Sequence, residues 1–244
     1  MNKIFRYELR RLVWNKFFIV LLVINGIYAR YVLTTETIAG VAYTAPFSLW
    51  SFGAYYASIL PLSILTMLFL LSVYYSKKEK QVEILTMVTP VNKVHYALVR
   101  SAAIIICFLI ICAVIFSLGV YFYITVFDYH DFIPFLLPSG IIILPCLLFT
   151  LGIGHLAGRI HQGLLYALML IVLVVGFADI GGIFGFFGNW YFSTYPVSLP
   201  VGKDGEPTFM VSSVFWLARI VYLVVGGILL TISINTQQRK AKKA

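Results

Sequence analysis

Two carboxylates and five basic residues punctuate one stretch of an otherwise apolar chain: Lys77, Lys78, Glu79, Lys80, Glu83, Lys93 and Arg100 all fall within 76–100. Glu79 and Glu83 stand at i, i+4, while Val82, Leu85 and Thr86 stand at i, i+3, i+4. A helix over these positions carries an apolar ridge flanked by charge, and Pro90 ends it. Such a ridge is suited to a groove in a partner protein, where the apolar anchors supply affinity and the charges set register. A solvated linker lying on lipid headgroups is the other reading of the same residues.

Catalytic constellations are missing elsewhere. No GxxxxGK[ST] pattern occurs, and the Gly202-Lys203 pair is followed by Asp204, so the chain does not read as one that cradles nucleotide phosphates. No HExxH occurs, and His95, His130, His155 and His161 are scattered without Cys or carboxylate at metal-ligand spacing, so no metal site is expected. An intramembrane serine protease would need a base in its last apolar segment, and that segment has no His. The chain reads as a non-enzyme.

The elements that must position the charged stretch are set by composition. The chain is 61% hydrophobic and 11% charged, with mean hydropathy +0.96, whereas a soluble domain is roughly 25% charged. Apolar runs of helix-spanning length, without strand alternation, predict an all-α integral membrane protein. Six spans are expected, at about 17–33, 54–75, 101–127, 135–157, 164–178 and 211–235, with Pro61 kinking the second. Cys107, Cys112 and Cys146 all fall inside spans and read as small apolar residues rather than a disulfide framework.

Ahead of the first span, 1–16 is too polar to cross. Phe5, Leu9, Leu12 and Val13 share one helical side, and Lys3, Arg6 and Arg10 share another. An interfacial helix is expected, apolar side among acyl chains and basic side on anionic headgroups. It is read as uncleaved because no small-x-small site follows. Most Lys and Arg gather at the N-terminus, in 76–100 and at the C-terminus, which by the positive-inside rule places both termini in the cytosol. The net charge of +9 then follows from topology, and no nucleic-acid partner is implied.

Between the last two expected spans, DIGGIFGFFGNWYF (179–192) is too short to cross and too apolar to be solvated. Together with the residues to 210 it is expected to form an extracellular re-entrant segment, the rival being a simple prolongation of the fifth span. Asp179 and Arg219, toward the same ends of consecutive antiparallel helices, are an expected charge pair anchoring it. Arg30 is either a snorkelling residue or a contact on a substrate path. Gly154 and Gly158 form a GxxxG, read as intrachain packing in preference to a dimer seam.

Six spans with cytosolic ends, an amphipathic N-terminal helix, a charged loop between spans two and three and a Gly-rich apolar excursion before the last span resemble the permease subunits of ATP-binding-cassette (ABC) transporters of the type-two exporter family. The local likeness lies in Glu79-Lys80-Gln81-Val82-Glu83-Ile84-Leu85, followed by Thr89-Pro90-Val91 and Lys93. The family's usual Gly-Thr is Gln81-Val82 here, and Thr86 replaces a second leucine. The resemblance implies a single permease domain over 1–244, with 76–100 as the cytosolic coupling loop and Glu79, Val82, Glu83, Leu85, Thr86 and Pro90 as the ATPase-docking set. It further implies separate ABC ATPase subunits carrying ATP and Mg, a second permease as homodimer or heterodimer, and a bacterial cell membrane. Export of a small amphipathic cargo is implied, peptide toxins or antimicrobial peptides first and lipid-like or drug-like molecules second. The rival class is an ATP-independent secondary transporter or channel, which would need ionisable residues deep in its spans.

Overall fold

The computed structural model describes residues 2–76, 79, 81, 93–178, 182–202 and 205–241. Eight α-helices account for most of them: α1 (Asn2–Val13), α2 (Lys16–Thr35), α3 (Leu49–Tyr74), α4 (Lys93–Phe127), α5 (Leu136–Ile160), α6 (Gln162–Phe177), α7 (Asn189–Thr194) and α8 (Ser213–Ala241). Among the described residues the only strand-like pairing is a single bridge between Val201 and Pro207. The architecture is all-α, as the absence of alternating hydropathy required.

Among the described residues, five segments are long and apolar enough to cross a membrane: Lys16–Ala39, Leu49–Tyr74, Val94–Phe127, Ile133–Ile160 and Ser213–Ile234. The fifth expected span, 164–178, is represented by α6, which has 16 residues. At 1.5 Å per residue it reaches about 24 Å, short of the ~30 Å hydrocarbon core. α4 is the opposite case. Its 35 residues run about 52 Å, and because it begins at Lys93 the end of the charged stretch, through Arg100, is helical.

α3 is the hub and packs on α2, α4, α5, α6 and α7. Its residues are buried nearly all round, which suits a sequence apolar on every side. Ser48 caps its start by accepting from Ser51 N at 3.1 Å, and Pro61 lies at its midpoint. α2 adds a buried polar knot to this core: Asn25 Nδ2 donates to Thr66 Oγ1 at 2.9 Å and Ser63 Oγ donates to Asn25 Oδ1 at 2.9 Å. Away from water, such a fully satisfied group fixes the rotation of one helix against the other.

α5 and α8 share the most extensive helix contact. Gly152 and Gly226 permit it: a Cβ on Gly226 would stand 2.5 Å from Phe149 N, and one on Gly152 2.6 Å from Gly226 O. Gly154 and Gly158 lie against α3, where added Cβ atoms would come within 2.5 Å of Leu71 and 2.3 Å of the Tyr75 ring. That GxxxG is intrachain packing.

α1 departs from expectation in one respect. Leu12 is buried in the core, and Leu9 and Val13 pack against it. α1 lies along α4, so its apolar side meets protein where acyl chains were expected, because the long N-terminal extension of α4 offers a surface the sequence did not announce.

Candidate functional site

The charged stretch reaches the described structure through Glu79. Its carboxylate accepts from the guanidinium of Arg11 on α1 and, at 3.4 Å, from Arg100 Nη2 on α4. Arg100 is held in turn by the Tyr74 carbonyl at 3.2 Å, and its guanidinium carbon stands 4.0 Å over the Tyr74 ring. Glu8, only 3% exposed, accepts from Tyr74 Oη at 3.2 Å and Tyr96 Oη at 3.3 Å and lies 3.7 Å from Arg11. Partial burial of Arg11 works to lower its pKa, but the hydrogen bond and charge of Glu79, with Glu8 behind, outweigh that and raise it. The result is an alternating network, Glu8, Arg11, Glu79, Arg100, which ties α1, the end of α3 and the start of α4 to the first part of the loop.

Beside this network, His155 of α5 bridges two hydroxyls, with Nδ1 2.8 Å from Tyr75 Oη and Nε2 2.9 Å from Ser101 Oγ. An imidazole in this position uses one ring nitrogen as donor and the other as acceptor. The bridge locks α5 to the same ends of α3 and α4 that carry the charged network.

Toward the far side of the bundle, the chain after α6 is held by side chains of α5 and α8. Gly176 meets Pro61, halfway along α3, so α6 ends level with the middle of the bundle. Residues 182–188 are a 3-10 turn and irregular backbone, and α7 then rises beside the start of α3, with Phe192 against Gly53 and Asn189 Oδ1 accepting from Ser58 Oγ at 3.2 Å. Three successive carbonyls of the irregular part are captured. Tyr222 Oη donates to Phe184 O at 2.8 Å, Arg219 Nη2 to Gly185 O at 2.7 Å, and Arg219 Nη1 to Phe186 O at 2.5 Å, where Cys146 Sγ also approaches to 3.1 Å. Buried non-helical backbone is tolerated only when its polar groups are satisfied. The guanidinium, 1% exposed, provides that cover and packs 4.3 Å from the Phe215 ring centroid. Gly188 is required beside it, since its φ is +80° and a Cβ would stand 2.8 Å from Arg219 Nη2.

The expected site residues are therefore dispersed. Glu79 faces inward, into the α1–α4 network. Val82, Glu83, Leu85, Thr86 and Pro90 lie outside the described residues, as does Asp179. Arg219 joins the segment before α7 to the last long helix, its hydrogen bonds among the described residues going to the carbonyls of Gly185 and Phe186. Arg30 is exposed on α2, away from the core. Glu8, Arg11, Tyr74 and Tyr96 were not singled out from the sequence; the available signal was Glu8 itself, a carboxylate on the apolar side of α1 among Phe5, Leu9 and Leu12. Among the described residues no group of His, Cys, Asp and Glu is arranged to hold a metal ion.

No protein-family model, curated protein or solved structure matches this chain.

Proposed function

We propose that this chain is the membrane-spanning permease subunit of a bacterial ABC exporter, working with a second permease and with separate ATPase subunits that dock on the loop between α3 and α4. The observation that carries the reading is the tie from Glu79 to both Arg11 and Arg100. A helix rocked by ATPase closure needs a stiff connection to the spans. The network supplies one, because a pull on Glu79 is borne at once by α1 and by the base of α4, while His155 extends the connection to α5. The transport cycle is then a nucleotide-biased two-state tilt of these helices, with both termini and the docking loop in the cytosol. A small amphipathic peptide is the proposed cargo class.

The test is a tagged Leu85→Asp chain purified from membranes alongside the unmodified one. An unpaired charge in an apolar groove costs several kcal/mol, on the order of what a modest docking interface supplies. The variant should insert normally, lose its co-purifying ATPase and lose ATP-dependent cargo resistance. Retained transport, or no nucleotide-binding protein with the unmodified chain, overturns the exporter reading and assigns the chain to ATP-independent transporters or channels.

A further inference from the structure

The exposed side of α1 is basic and aromatic, and α2, which follows after two residues, has an apolar exposed side. Lys3, Arg6, Tyr7 and Arg10 are exposed along one stripe of α1, and Trp14, 74% exposed, follows at its end. At 100° per residue these five positions fall within about a third of the helix circumference. The opposite side is occupied, with Glu8 and Leu12 buried and Arg11 turned to Glu79. The ion pairs among the described residues involve Arg11, Arg100 and His130, so none of Lys3, Arg6, Arg10 or Lys16 pairs with a described carboxylate.

What covers this stripe is indicated by its neighbour. Only Trp14 and Asn15 separate α1 from α2, and Asn15 Oδ1 caps α2 by accepting from Phe17 N at 3.0 Å. Phe17, Val20, Ile24, Ile27 and Tyr31 then form one exposed apolar stripe along α2, the side of a membrane-spanning helix that meets lipid. Trp14 precedes α2 by two residues, the sequence position of an aromatic belt residue, and the three cations of α1 lie just before it in the chain.

We propose that this stripe is a binding surface for anionic phospholipid headgroups of the bilayer the protein spans, with Lys3, Arg6 and Arg10 contacting phosphates and Trp14 marking the boundary with the acyl chains. Because the apolar side of α1 is already packed on α4, the attraction is between charges and falls with salt, unlike that of a helix held by acyl insertion. The surface also bears on the site above. Arg11, next in sequence to Arg10, holds Glu79, so headgroups that fix α1 also fix the anchor of the loop.

The test uses the full chain in phosphatidylcholine vesicles with trace spin-labelled phosphatidylglycerol or spin-labelled phosphatidylcholine, and reads the motionally restricted fraction of each probe. The unmodified protein should prefer the anionic probe, the preference should decline toward unity at high salt, and Lys3→Gln/Arg6→Gln/Arg10→Gln should abolish it, by up to about fivefold per charge at a contacting lipid. Lys3→Arg/Arg6→Lys/Arg10→Lys should retain it. No anionic preference in the unmodified protein, a preference indifferent to salt, or one unchanged in the Gln variant overturns the proposal. So does a Gln variant that keeps its lipid preference but loses a co-purifying acidic protein, which would assign the stripe to that partner. The salt titration needs no variant, and none of these readouts depends on the exporter reading.

Discussion

Arg219 Nη2 donates to the carbonyl oxygen of Gly185 at 2.7 Å, so a side chain in the last long helix replaces the intrahelical hydrogen bond that a break in the preceding apolar segment gives up. This relationship explains how irregular backbone can pack inside the helix bundle with its carbonyls paired.

Removing the guanidinium should therefore cost more than a charge deletion elsewhere. Arg219→Met leaves the Gly185 carbonyl unpaired and Phe186 with only the Cys146 thiol, at about 1–3 kcal/mol for each buried group left unmade. Arg219→Lys can reach one carbonyl and should fall between. Detergent-solubilised thermal unfolding, followed by size-exclusion chromatography, should rank the unmodified chain above Lys and Lys above Met; equal stability of all three would remove the carbonyl clamp from the account.

A sharper steric contrast lies on α8 itself. Gly226→Ala drives a methyl to 2.5 Å from Phe149 N, whereas nothing lies within 4 Å of a Cβ at Gly227. The first substitution should destabilise by about 1–3 kcal/mol through overpacking. The second should be neutral, or stabilising by up to about 1 kcal/mol through helix propensity. Melting temperatures of the two single variants decide the matter, and similar values would mean that α5 and α8 do not cross at this point.

The network at the other end should behave as a unit. Arg11→Glu sets a carboxylate against Glu79 and Glu8, and Glu79→Arg sets a guanidinium against Arg11 and Arg100, so each should lower stability. Combining them restores opposite charge between the two positions, and the double-mutant cycle should show a favourable coupling of about 1 kcal/mol, kept modest because Arg11 is partly exposed. Additive effects would show that the two side chains do not meet in the membrane-embedded protein.

Orientation is open to direct chemical labelling. Cysteines at Lys78 and Lys240 should resist a membrane-impermeant thiol reagent in intact cells, while one at Lys203 reacts, if the Lys and Arg asymmetry places both termini in the cytosol. Labelling at Lys78 from outside would invert the topology and with it the proposed docking surface.

Hydropathy is a local property that survives without a fold, so the sequence alone determined that the chain is an all-α membrane protein, approximately where its long helices run, and that its charges gather near their ends. The amphipathic pattern of α1 was equally legible, since it depends only on spacing. What α1 packs against was not, because the surface is supplied by α4, more than 80 residues further along. The meeting of Arg11 with Glu79, separated by 68 positions, was decided by tertiary structure alone: charges scattered on both sides of a bundle offer many formal pairings, and only the packing of α1 on α4 selects among them. Arg219 marks the limit most clearly. Its place toward one end of the last span was legible and Asp179 was the expected partner, while its partners among the described residues are the carbonyls of Gly185 and Phe186. Every residue carries a carbonyl, so no residue type announces that role, and only the break in the helix, which frees those carbonyls, creates it.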